Sequence, residues 1–244
     1  MNILGVILAR AGSAGLSDKH LRCLCGRPVI DYTFDHVAAA NCFSAVALST
    51  DCPRLAVMAT ARGIPVISRP SDLATSSASV QDAMLHAMET YETQCDFQAD
   101  GLVVIYGNVP IRPYGVFDQA IEMLAQTGCD SVRSFCPVGK WHPAWMSKLS
   151  GDRVEPVTPG SIHRRQDLAP LFLHDGAVVA VSRSSMLRGR ENPSDPHAFF
   201  GIDRRGIQVG AGETVEIDTQ RDLYLAEAIL WERQTAATPL ARVA

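Results

Sequence analysis

An apolar run, Ile3 to Leu8, ends in the stretch Ala9-Arg-Ala-Gly-Ser-Ala-Gly-Leu-Ser-Asp-Lys-His20. Its glycines and serines lie between two cations, Arg10 and Lys19. Glycine admits positive φ and close approach of the backbone, and successive N–H groups of such a loop form a concavity for an anion. With Arg10 and Lys19 adding full positive charge, the chemistry is oxyanion binding, most simply of phosphate. Two familiar phosphate loops do not fit. Counted from Gly12, the second Walker glycine falls on Ser17, and the spacing G-x-G-x-x-G is absent. On this stretch alone a flexible turn stays open as the alternative.

Near the other end, Val215-Glu-Ile-Asp218 sets two carboxylates, Glu216 and Asp218, two positions apart. On a strand, residues i and i+2 share a face, and two like charges there repel unless something neutralises them. A hard cation such as Mg²⁺ would do so, because it takes oxygen ligands together with substrate phosphates. A pair facing water at a strand end is the plainer reading. Asp222 belongs with the first turn of the following helix, where a carboxylate suits the helix dipole.

Elements that would carry these groups alternate along the chain. Short apolar runs at residues 2–9, Ser44–Thr50, Ile64–Ser68, Gly101–Tyr106, Asp130–Val138 and Gly176–Ser182 are expected strands, with Thr214–Ile217 as a last one. Helical spacing of apolar residues is expected over Pro28–Cys42, from Leu55 to a stop at Gly63, over Ser79–Tyr91 with Ser79 as cap, over Val116–Gln126 and over Thr219–Arg233. Alternating strands and helices predict an α/β, doubly wound, mainly parallel sheet. Ligands of such sheets bind beyond the carboxyl ends of the strands, where the glycine loop stands. Residues 139–170 show no clean period and are read as an excursion between 1–138 and 171–234, which form one domain; 235–244 are read as a flexible tail. His36 and His86, inside expected helices, are read as packing residues, whereas His142 lies in the excursion between Trp141 and Trp145.

The chain has 244 residues, 47% hydrophobic and 20% charged, with a net charge of −4. That charge argues against a nucleic-acid partner, and no apolar run approaches the ~18 residues of a membrane span. Seven cysteines, several inside apolar runs, read as small buried hydrophobes in a reduced cytoplasm.

The pattern AR-x-GS-x-GL-x-x-K resembles the signature loop of the CMP-sialic acid synthetases, the acylneuraminate cytidylyltransferases. STD at Ser49–Asp51, RPSDLATSSAS at Arg69–Ser79, IRP at Ile111–Pro113, WHP, DGAVVAV and VEIDTQRDLYLAEAIL follow in the family's order. The resemblance implies a Rossmann-like nucleotidyltransferase fold and transfer of CMP from CTP to the anomeric hydroxyl of a 2-keto-3-deoxy, nonulosonic sugar acid, with pyrophosphate released. It implies Arg10, Lys19 and Asp218 as catalytic groups. The nucleotide would meet Ala9, Arg10, Gly12, Ser13, Lys19, His20, Arg69 and Ser79. Tyr106, Asn108, Arg112, Arg164, Arg165 and Asp175 would meet the sugar, and Glu216 and Asp218 would hold Mg²⁺. It also implies a homodimer, with the excursion packing on the second subunit.

Four departures bear on this. Ala14 stands where the family commonly has lysine, His20 replaces asparagine, and Ser76 stands where aspartate is frequent. Tyr106-Gly-Asn-Val-Pro-Ile-Arg-Pro113 replaces a QPTSPLR-like stretch, so the acceptor pocket should differ from that for N-acetylneuraminate. Within the class, the rival acceptor is the eight-carbon Kdo sugar. Outside it, E-I-D could imitate the metal motif of a nucleotide-sugar glycosyltransferase, and Ala14 with Glu216 could mark a protein that binds nucleotide without turnover.

Overall fold

A computed structural model describes residues 1–12, 15–158, 160, 162 and 164–237. In chain order the strands are β1 (Ile3–Leu8), β2 (Cys23–Leu24), β3 (Arg27–Pro28), β4 (Ala45–Thr50), β5 (Val66–Ser68), β6 (Gly101–Tyr106), β7 (Ser131–Pro137), β8 (Ser147–Ser150), β9 (Arg153–Pro156), β10 (Phe172–Ser182) and β11 (Arg204–Gln208). The helices are α1 (Val29–Ala39), α2 (Pro53–Ala61), α3 (Val80–Cys95), α4 (Val116–Thr127), α5 (Arg183–Glu191) and α6 (Gln220–Ala237).

Seven strands form one sheet in the order β11-β7-β10-β6-β1-β4-β5. β1 pairs in parallel with β4 and β6, β4 with β5, and β7 with β11; β10 alone is antiparallel, to both β6 and β7. Every residue of β1 is buried, as expected of a strand covered on both faces. One core joins Ile7, Phe34 of α1 and Phe117 of α4. The other joins Val104, Met84 and Met88 of α3, and Phe199.

A third, smaller core positions the chemistry. Leu16 of the glycine loop packs with Leu24, Ile111, Val215, Ile217 and Leu223 of α6. The two ends of the chain are thus fastened side by side by apolar residues interleaved with the polar ones.

Several elements differ from the expectations. Thr214–Ile217 is no strand: Val215 makes an isolated antiparallel bridge to Ile111, and Ile217 N–H donates to the Asn108 carbonyl at 2.8 Å. The segment pairs with the loop after β6, which is not itself a strand, so no ladder propagates. The alternation survives, with Val215 and Ile217 buried and Glu216 and Asp218 exposed. α6 continues to Ala237, so 235–237 are helical and not tail; 238–244 lie outside the described residues. Within 139–170 the strands β8 and β9 form a hairpin in which all eight residues are exposed. Without an inside and an outside, it carries no period to read. β11 is missed for a related reason: it is an edge strand, RRGIQ, with one buried residue.

Among the cysteines only Cys129 is fully buried; Cys23, Cys25 and Cys95 are exposed, and all seven are free thiols. His36 accepts its expected packing role, its Nε2 3.1 Å from the Pro110 carbonyl. His142 is buried and braces the excursion through the Ala169 carbonyl (3.1 Å) and the Ala144 N–H (3.1 Å). No helix among the described residues is long and apolar enough to cross a membrane.

Candidate functional site

A cleft of about 170 Å³ opens at the carboxyl edge of β1 and β6. Eight of the expected site residues line it, Arg10, Lys19, His20, Arg69, Ser79, Tyr106, Asn108 and Glu216, together with Ser76, one of the four departures. Asp218 stands at its rim, where the Lys19 ammonium donates to Asp218 Oδ1 at 2.7 Å. The basic loop and the acidic couple therefore meet across one cleft.

Three cations converge on the mouth. Arg10 Nη1 donates to the Gly12 carbonyl at 2.8 Å and to the Ala74 carbonyl at 3.4 Å. Gly12 has φ 67°, a conformation glycine adopts without steric cost. Arg69 is buried and held on β4: its Nε donates to Ser49 Oγ at 3.0 Å and its Nη2 to the Ser49 carbonyl at 2.8 Å. Burial pulls it down to about 10, so it remains charged at neutral pH. His20 is pressed against Gly107, where an added Cβ would lie 3.1 Å from the imidazole. Burial, followed by Lys19, Arg69 and Arg10, pushes its pKa down to about 3. His20 is therefore a neutral wall with no further charge to add. Ala9 is buried behind it, its N–H on the Ser49 carbonyl at 3.2 Å. Ser13, together with Ala14, lies outside the described residues.

The acidic couple is held by one amide. Asn108 Nδ2 donates to Glu216 Oε1 (3.0 Å), to the Ile217 carbonyl (3.1 Å) and to Asp218 Oδ1 (3.4 Å). Asn108 thus secures the carboxylates while lining the cleft. Gly15 explains the close fit of the loop: a Cβ there would lie 2.5 Å from the Asp218 carbonyl. Asp222 caps α6, its Oδ2 accepting from the N–H groups of Asp218 (3.0 Å) and Thr219 (2.6 Å), as read from the sequence. Ser79 caps α3, accepting from Asp82 N–H at 3.0 Å, so the positive end of that helix points toward the cleft wall.

Four expected sugar contacts are not in the cleft. Arg112 is 2% exposed. Its Nε donates to the Ala177 carbonyl at 3.1 Å, its Nη2 to the Tyr106 carbonyl at 2.6 Å, and its Nη1 to Thr33 Oγ1 and the Val109 carbonyl. It clamps the loop after β6 and leaves no fork for a carboxylate. Asp175 accepts from Ser134 Oγ, from Ala177 N–H and from Thr214 Oγ1 at 2.6 Å, tying β10 and β7 to the segment that leads to Glu216. Arg164 and Arg165 are exposed on the excursion, with Arg165 in a separate recess beside His142 and Phe172. Thr75 and Ala78 were not singled out, yet they complete one wall; the hydroxyl-rich run after Arg69 was their only signal.

A mainly parallel sheet with a cationic glycine loop facing an acidic couple defines a nucleotidyltransferase-type α/β protein. The protein-family model described as cytidylyltransferase matches residues 4–238, and the chain belongs to that family. N-acylneuraminate cytidylyltransferase of Streptococcus agalactiae serotype III is 29% identical over 226 residues, 91% of this chain and 52% of that protein. The chain therefore spans about half the length of the streptococcal relatives. CMP-N,N'-diacetyllegionaminic acid synthase of Legionella pneumophila is 26% identical over 239 residues, covering 97% of this chain and 99% of that one. Among solved structures, CMP:2-keto-3-deoxy-manno-octonic acid synthetase complexed with CTP has a TM-score of 0.73 at 19% identity, covering 96% of this chain and 100% of its own. 4-Diphosphocytidyl-2C-methyl-D-erythritol synthase of Anaerococcus prevotii has a TM-score of 0.67 at 15% identity, covering 94% and 98%. At such identities these two structures show the fold.

Proposed function

We propose that the chain transfers CMP from CTP to the anomeric hydroxyl of a sialic-acid-like, nonulosonic 2-keto-3-deoxy sugar acid and releases pyrophosphate. The contact between Lys19 and Asp218 carries this reading, because it brings the phosphate loop and the acidic couple to one point. The streptococcal and Legionella relatives, named for nonulosonic acids, support the acceptor class.

The reaction needs no protein nucleophile. Its barrier is the approach of an anionic acid to an anionic triphosphate, so catalysis rests on positioning and on fixed charge. Arg10, Lys19 and Arg69 face the triphosphate, and Lys19 exchanges Asp218 for phosphate oxygens as CTP enters. Loop N–H groups and the start of α3 add partial positive charge.

Glu216 and Asp218 suit a divalent cation such as Mg²⁺: they offer hard oxygen donors on one face, gripped by Asn108, and such ions fill their remaining positions with water and phosphate. When bound, the ion supplies charge neutralisation at the α-phosphate and acidity to the attacking hydroxyl.

A homodimer is part of the proposal. The excursion and its neighbours expose Trp141 (67%), Leu149 (74%), Val154 (65%) and Leu173 (60%), an apolar area of the kind that marks an interface. Sedimentation is expected to give twice the chain mass, and a monomer at micromolar concentration would contradict this part. The seven free thiols agree with a cytoplasmic setting.

The test of function supplies each nucleoside triphosphate with Mg²⁺ and a panel comprising N-acetylneuraminate, N,N'-diacetyllegionaminate and 3-deoxy-manno-octulosonate. Pyrophosphate is expected only with CTP together with a nonulosonic acid. CTP bound without turnover across the panel would overturn the reading.

A further inference from the structure

We propose that Arg133 recognises the carboxylate of the acceptor sugar acid, the part expected of Arg112, Arg164 and Arg165; this rests on the cytidylyltransferase reading above. Arg133 lies on β7 opposite Val179 of β10, and Val179 lies opposite Val104 of β6. Residues paired across a sheet project from the same face, and so do residues two apart on one strand. Arg133 therefore rises from the face that carries Tyr106, whose side chain walls the cleft.

The guanidinium is prepared but unanswered. It lies 4.3 Å from the ring centre of Phe200 and 5.1 Å from that of Phe135. Its Nε is buried and has no hydrogen-bond partner. Among the described residues no carboxylate pairs with it; its charged neighbour is Arg204, whose guanidinium lies 6.0 Å from the same Phe200 ring. Arg188 also has a buried Nε without a partner, but its guanidinium is paired with Asp130, and Arg183 is paired with Glu92; Arg133 has neither. A desolvated donor without an acceptor costs stability, and two guanidiniums sharing one ring repel. An anion placed between them relieves both penalties.

Geometry also selects which anion. Tyr106 feels both charges: its phenol is pushed up to about 12, first by burial and then by Glu216, while Arg133 pulls it the other way. His174 likewise lies within electrostatic reach of Arg133, Asp175 and Glu216. A Cβ on Gly176 would lie 3.6 Å from Glu216 Oε2 and 3.8 Å from the Tyr106 ring, so Tyr106 stands beside the acidic couple, and Arg133 rises from the same face of the sheet, outside the residues that line the cleft itself. In a 2-keto sugar acid the carboxylate is bonded to the carbon that carries the attacking hydroxyl. With that hydroxyl directed toward the α-phosphate beside Glu216 and Asp218, like-charge repulsion turns the carboxylate away from the couple. Beyond Arg10, Lys19 and Arg69, which are assigned to the triphosphate, Arg133 is a cation without a carboxylate partner among the described residues on the face that carries Tyr106. Its planar fork matches a carboxylate bidentately, and stacking on Phe200 and Phe135 orients it before the ligand arrives.

The test uses the acid of the panel that wild type turns over, its methyl ester, and Arg133→Met and Arg133→Lys. Arg133→Met is expected to raise the KM for the acid about 10- to 100-fold, the range for a lost hydrogen bond to a charged group. The Kd for CTP by calorimetry should stay at the wild-type value. Lysine keeps the charge without the fork and should fall between the two. Esterification should cost wild type a similar factor and Arg133→Met almost nothing, a difference that a merely structural arginine would not produce. Should the methionine variant fail to fold, the lysine variant decides by the same comparison. An unchanged KM for the acid, equal losses for acid and CTP, or equal ester penalties in wild type and variant would overturn the assignment. Pyrophosphate release by none of the acids would instead overturn the cytidylyltransferase reading itself, and this inference with it.

Discussion

Asp218→Ala is expected to lower pyrophosphate release by about 10³-fold or more while leaving the melting temperature close to wild type. The rate effect follows from its place. Asp218 meets the Lys19 ammonium at 2.7 Å and shares the Asn108 amide with Glu216, so it touches both halves of the charge arrangement. Loss of a single fixed electrostatic contact at a reacting centre costs roughly 10²- to 10³-fold. Here the loss also halves the set of hard oxygens available to a cation. The stability effect is small for a different reason. The Asp218 side chain is 58% exposed, and an exposed ion pair is worth roughly 0 to 1 kcal/mol. The apolar residues that hold the segment, Val215 and Ile217, remain buried in the variant. Steady-state kinetics beside a thermal melt check both halves, and near-normal turnover in a folded Asp218→Ala would remove the acidic couple from the mechanism. Glu216→Ala is expected to share the rate loss for the same reason.

Lys19→Ala is expected to raise the KM for CTP by about 10- to 100-fold, the cost of one charge-assisted bond to phosphate, and to lower kcat as well. The Lys19 side chain is 16% exposed and starts from a short turn, Lys19–Leu21, whose buried member is His20. Because His20 is neutral, Lys19 is the full charge at that point of the loop, and with alanine nothing replaces it. Lys19→Arg should recover only part of the loss, since a planar fork does not reproduce a compact ammonium. Titration of CTP at saturating acid measures the effect; wild-type KM and kcat in Lys19→Ala would end the phosphate assignment for this loop.

The charged and polar residues legible in the sequence gather only in part at one place. Arg10, Lys19, His20, Arg69, Ser79, Tyr106, Asn108 and Glu216 share one cleft, because the loop and the acidic segment announce themselves by charge and spacing. Arg112 was legible as an arginine after a strand, but its backbone acceptors, the carbonyls of Tyr106, Val109 and Ala177, belong to two different segments. No local pattern separates an arginine that binds a ligand carboxylate from one that binds carbonyls of its own chain. Arg133 shows the converse: it lies unremarked inside the expected strand Asp130–Val138, and only the approach of Phe200 reveals a cation over an aromatic ring without a carboxylate partner among the described residues.

By itself, the sequence determined the buried strands β1, β4 and β6, the helices α1 to α4, and the alternation that buries Val215 and Ile217 while exposing Glu216 and Asp218. Burial leaves a short-range period of two or 3.6 residues, and such a period can be read along the chain. The tertiary structure alone decided the antiparallel insertion of β10, the exposed hairpin of β8 and β9, and which cation meets which anion. Those outcomes depend on contacts between residues as distant as Lys19 and Asp218, and an exposed strand or a partner far along the chain leaves no period behind.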